Sequence, residues 1–141
     1  MLAGPPTFLS PFRPSAPAPV ASITQAIGAG PEPVYRVHVF CCTNRRPDSH
    51  WRGCCASKGS KALCDYMCRL GMALGARRIR INHAGCMNVC EHGPTMVIYP
   101  DAVWYRYETE ADVEEILRRH VIGGSRVERL LLNIDPATLH G

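Results

Sequence analysis

A chain of 141 residues with 46% hydrophobic and 20% charged residues has length for one domain and a tail, and this composition excludes collagen-like and wholly disordered classes. No apolar run nears the ~20 residues of a membrane-spanning helix, so a soluble protein with no membrane partner is expected. The formal net charge of +4 is uneven: Arg45, Arg46, Arg52, Lys58, Lys61, Arg69, Arg77 and Arg78 cluster, while Asp101 to Glu115 is mostly acidic. That pattern suits solubility or an acidic protein partner, and no nucleic acid is expected, because the basic residues are not interleaved with the aromatics that single-strand binders use.

Residues 1–33 hold Pro5, Pro6, Pro11, Pro14, Pro17, Pro19, Pro31 and Pro33 and few groups able to build a core, which predicts a disordered Pro-rich N-terminal extension ahead of a folded domain over 34–141. The alternating run Tyr35 to Phe40 reads as a strand ending at Cys41-Cys42. After a polar loop, Leu63, Tyr66, Met67, Leu70, Ala73 and Leu74 fall on one face of a helix that starts near Ser60 and is stopped by Gly75. Ile79 and Ile81, alternating with Arg78, Arg80 and Asn82, make a second strand. Thr95 to Tyr99 and Ala102 to Tyr105 form a hairpin around Pro100-Asp101. Thr109 with Asp112 resembles a helix N-cap pair, and Val113, Ile116, Leu117 and Val121 supply the buried face of the last helix. The order β-α-β then β-β-α is that of a thioredoxin-like α/β sandwich. A right-handed crossover would set the loops after the first two strands side by side at one end of the sheet, where α/β proteins place their sites.

Those two loops carry most of the eight cysteines, Cys41, Cys42, Cys54, Cys55, Cys64, Cys68, Cys86 and Cys90. The N-terminus has neither the charged region nor the uninterrupted apolar stretch of a secretory signal, so reduced thiols and a cytoplasmic location are expected, which favours metal or redox chemistry over structural disulfides. Cys86 and Cys90 can share one iron, and Gly85 and Gly93 let the backbone wrap closely. With Cys42 and Cys55 they make four thiolates from two loops, the set that a [2Fe–2S] cluster requires. Strand alternation sends Cys41 and Cys42 to opposite faces, so one of the two turns toward the site. Cys64 and Cys68 read as helical core thiols. Cys90-Glu91-His92 begins a Rieske-type pattern, but no second Cys-His pair follows.

The segments Cys42-Thr43-Asn44-Arg45-Arg46-Pro47, Arg52-Gly53-Cys54-Cys55-Ala56-Ser57-Lys58-Gly59-Ser60 and Ala84-Gly85-Cys86-Met87-Asn88-Val89-Cys90-Glu91-His92-Gly93-Pro94 closely resemble the thioredoxin-like [2Fe–2S] ferredoxin family. So do Val97 to Pro100 and Val103 to Tyr105. The resemblance spans about residues 35–132 and implies one [2Fe–2S] cluster on Cys42, Cys55, Cys86 and Cys90. Cys41 and Cys54 depart from it, each making a doublet where the family needs one thiol. Cys55 is preferred over Cys54 on the family's register alone.

The implied role is a soluble one-electron carrier between redox partner proteins, not an enzyme, and the family's homodimers make the apolar Val127, Leu130, Leu131, Leu132 and Ile134 a candidate interface. Arg45, Arg46, Arg52 and Lys58 are expected to stabilise the reduced form. The alternatives are a structural zinc protein and a thiol oxidoreductase, although the first loop lacks the helix-opening C-x2-C of the latter.

Overall fold

Alternation of β-branched and polar residues sets the sheet. In the computed structural model, which describes residues 30–139, β1 (Val37–Cys42) buries Val37, Val39 and Cys41 on one face and leaves His38 and Phe40 half-buried on the other. β2 (Ile79–Ala84) lies parallel to β1, from Val37 opposite Ile79 to Cys42 opposite Ala84. β3 (Thr95–Tyr99) pairs antiparallel with β1, and β4 (Val103–Arg106) antiparallel with β3, giving the order β2-β1-β3-β4. β1 starts two residues later than the alternation suggested and runs through the cysteine doublet, because its parallel ladder continues to Ala84. The proline-rich expectation for residues 1–33 falls almost entirely outside the described residues.

Both helices cover the same face of the sheet. α1 (Ser60–Ala73) follows Gly59, whose φ of +83° only glycine adopts without strain, and buries Leu63, Cys64, Met67 and Gly71. Gly71 lets the helix approach β2: a Cβ there would already touch Ile81 at 3.4 Å. α2 (Glu110–Glu115) opens on the expected capping pair, with the Asp112 N–H donating to Thr109 Oγ1 at 3.1 Å and the Thr109 N–H donating back to Asp112 Oδ2 at 3.2 Å. It runs on as π-helical turns over Ile116–Ile122, and Val113, Ile116, Leu117 and Val121 are fully buried, at roughly 1.5–3 kcal/mol for each such side chain.

The C-terminal segment folds back on β4. Leu131 bridges to Tyr105, and the Leu132 N–H donates to the Trp104 carbonyl at 2.9 Å. Part of the predicted apolar patch is thereby used internally, since Val127 is fully buried while Leu130, Leu131, Leu132 and Ile134 stay half-buried. No helix among the described residues is long and apolar enough to cross a membrane.

Candidate metal centre

Because β1 and β2 are parallel, the chain leaves both at the same edge of the sheet. The loops that follow, 43–59 and 85–94, are joined at their roots by the Thr43 N–H on the Ala84 carbonyl at 2.9 Å. The first loop doubles back through the Ala56 N–H on the Asn44 carbonyl at 3.2 Å, which returns Cys55 to the end of β1. Cys55 comes close enough to Cys42 there for each thiol to shift the other's ionisation. In the second loop Cys86 Sγ and Cys90 Sγ stand 3.2 Å apart. The Met87 N–H of this loop also reaches Cys42, so the two thiol pairs adjoin. Cys42, Cys55 and Cys90 are buried and Cys86 is exposed. The arrangement is thus two pairs, and among the described residues no three His, Cys, Asp or Glu side chains gather as a single-ion site.

The pairs are electrostatically unequal. The neighbouring Cys55 thiol pushes Cys42 down to about 6, against its burial and with help from the Asn44 and Met87 N–H groups and from Arg46. Cys55 is pushed far up, because it keeps the proton that the pair shares and is itself buried. Burial, then the neighbouring Cys86, pushes Cys90 up to about 11. Four thiols this close resist joint ionisation unless positive charge enters among them, which is the behaviour of a soft-metal site.

The surroundings fit a metal–sulfur core. Gly93 leaves the space: a Cβ on it would stand 2.6 Å from Cys55 Sγ and 3.3 Å from the Cys90 carbonyl oxygen. Arg46 donates from Nη2 to Cys86 Sγ at 3.1 Å, while its Nη1 is buried with no partner among the described residues. An unpartnered buried guanidinium N–H is expensive unless an anion stands beside it. The Asn88 N–H donates to Cys86 Sγ at 3.3 Å, and Lys58 Nζ donates to the Cys90 carbonyl at 2.8 Å. The four cations expected to act alike therefore differ. Arg46 touches a thiol and Lys58 a loop carbonyl, Arg45 is exposed, and Arg52 is engaged by Glu91 and Asn88.

The remaining cysteines point elsewhere. Cys41 faces the core beside Cys64, and that neighbour together with burial holds its thiol far above the usual range. Cys54 lies 3.9 Å from the Arg46 carbonyl, beside Ser57. Cys64 and Cys68 sit in α1, the latter 3.8 Å from the Ile81 carbonyl. His92 is exposed. His120, which the sequence left without a partner, is buried between Tyr105 (2.7 Å) and Asp101 (2.7 Å), well along the chain from the thiols.

Comparison with known proteins finds similar chains among ferredoxins. No family model matches the chain. It is 40% identical over 99 residues to a protein of Aquifex aeolicus named "Ferredoxin, 2Fe-2S", covering 68% of this chain and 88% of that protein. It is 37% identical over 94 residues to one of the same name from Clostridium pasteurianum, covering 66% and 92%. Among solved structures, a thioredoxin-like [2Fe–2S] ferredoxin from Aquifex aeolicus superposes with a TM-score of 0.67 at 36% identity, over 75% of this chain and 99% of that one.

Proposed function

This chain belongs to the thioredoxin-like [2Fe–2S] ferredoxin family, and from that premise we propose that Cys42 and Cys55 hold one iron of a [2Fe–2S] cluster and Cys86 and Cys90 the other. The observation that carries the reading is the pairing of four thiols across two adjoining loops, with Gly93 closing over Cys55 and a buried Arg46 N–H left unpartnered on the guanidinium that binds Cys86. On four thiolates such a cluster supplies a one-electron couple, its total charge moving from about −2 to about −3 on reduction.

The protein's part is to hold that charge and to control access to it. Arg46, the Asn88 and Met87 N–H groups and Lys58 turn positive ends toward the sulfurs or their loop, which favours the more negative state. Cys42, Cys55 and Cys90 are shielded from water, while Cys86 lies at the surface and gives electrons a short exit. Four protein thiolates leave no open coordination position, so the role is outer-sphere electron transfer between partner proteins and not catalysis. A soluble domain over 34–141 behind the proline-rich extension, a cytoplasmic location and transient docking of acidic redox proteins complete the reading. The half-buried Leu130, Leu131, Leu132 and Ile134 offer an apolar strip to a second copy, as a homodimer requires; light scattering reads that directly.

The test is a reductive titration of the purified protein. A reddish-brown sample that bleaches on taking up one electron per chain, with a paramagnetic signal in the reduced form, supports the proposal. A colourless protein holding one zinc overturns it.

A further inference from the structure

Arg52 is the best-connected cation near the thiols, yet it touches none of them. From the first loop it reaches across to the second and makes four bonds there: Nε to Glu91 Oε1 (2.5 Å), Nη2 to Glu91 Oε2 (3.1 Å), Nη1 to Asn88 Oδ1 (2.8 Å) and Nη2 to the Asn88 carbonyl (3.1 Å). Its side chain is only 11% exposed. The partners are placed to matter. Glu91 directly follows Cys90. Asn88 is held at φ +64°, a left-handed conformation that asparagine tolerates better than most residues, and its N–H thereby meets Cys86 Sγ at 3.3 Å. Gripping both the side chain and the carbonyl of Asn88 holds the residue at two points around its Cα, and with it the N–H···S bond made by the peptide that precedes it.

We infer that Arg52, with Glu91 and Asn88, is a clamp that locks the two cysteine loops together and sets how long the cluster is retained, whereas Arg46 sets how easily it is reduced. The inference rests on the cluster reading above. The division of labour follows from charge: the Arg52 guanidinium faces a carboxylate, so the pair presents little net field, while the Arg46 guanidinium donates to the Cys86 sulfur and has no carboxylate partner among the described residues. Fork-to-carboxylate bonding is a planar, two-point grip that lysine cannot copy. Arg52 is thus a positioning residue, acting on Cys86 and Cys90 through their neighbours.

The experiment follows the visible absorption of the holoprotein in excess chelator for R52Q, E91Q, R52Q/E91Q, R52K and R46Q, together with each midpoint potential. R52Q is expected to lose its chromophore about tenfold faster than the parent, with R52K in between. The double variant should be no faster than R52Q, as groups acting as one unit require. The potential of R52Q should move less than that of R46Q. An unchanged loss rate in R52Q, multiplicative effects in the double variant, or a potential shift in R52Q matching that of R46Q would each overturn the clamp while leaving the cluster reading intact. A parent protein without the chromophore would overturn both.

Discussion

Replacing Gly93 by alanine tests the packing of the site with a single methyl group. The backbone at Gly93 has φ −73° and ψ 167°, where alanine is unstrained, so any penalty comes from the neighbours. The new Cβ would stand 2.6 Å from Cys55 Sγ against an ordinary contact of roughly 3.5–4.0 Å, so the sulfur must retreat by about 1 Å. Cys55 is fully buried, and turning its short side chain away carries the sulfur off Cys42. Overpacking of this kind costs ~1–3 kcal/mol, offset by the ~0.4–1 kcal/mol that alanine gains by restricting the unfolded chain, for a net loss of about 1–2 kcal/mol. Urea unfolding of the metal-free proteins, followed by far-UV circular dichroism, measures it. C55A/G93A completes the cycle: with the sulfur gone, the same methyl group should cost almost nothing. Equal effects of G93A with and without Cys55 would refute the reasoning, as would a G93A protein that binds iron as fully as the parent.

Other perturbations address the rest of the account. R46Q removes a positive charge that touches Cys86, so the more negative reduced state loses stabilisation and the midpoint potential should fall by something on the order of tens of millivolts; protein-film voltammetry checks it, and R45Q, at an exposed position, should shift it less. Asp112 caps α2 and accepts from Arg129 at 2.8 Å, so D112N should cost ~1 kcal/mol in thermal or urea unfolding. Although burial opposes it, hydrogen bonds from Glu108, Arg129 and Thr109 hold the Asp112 carboxyl below its ordinary value. Its contribution is therefore complete above the unfolded pKa of about 3.9 and is lost as pH falls through the lower folded value, so parent and D112N should converge in acid. Y105F strips the buried Val127 N–H (2.9 Å) and His120 Nδ1 of their shared hydroxyl and should cost ~2 kcal/mol; a change under about 0.5 kcal/mol would show that this network is replaceable.

Local pattern carried the elements, and long-range geometry carried what they do. The apolar spacing of α1 and the Thr109–Asp112 cap appear at their expected places, and the β1 strand appears displaced by two residues at its start, because each depends on neighbours within a few residues. Alternation also separated Cys41 from Cys42, and Cys41 does face the core. Nothing local distinguishes Cys54 from Cys55, since both sit in an irregular loop whose path is set by the Ala56–Asn44 bond. The roles of Arg46 and Arg52 were hidden for the same reason. Their partners lie 36 to 40 positions away, and two arginines six residues apart in one basic loop look alike until one is seen on a thiol and the other on a carboxylate. The Tyr105–His120–Asp101 network joins hairpin to helix and has no spacing signature.

The central claim is most directly tested by native mass spectrometry of single alanine variants at Cys41, Cys42, Cys54, Cys55, Cys86 and Cys90. The account predicts two irons and two sulfides per chain in C41A and C54A, and their loss in C42A, C55A, C86A and C90A. A full complement retained by any of those last four, or lost from C41A or C54A in a folded protein, would contradict it.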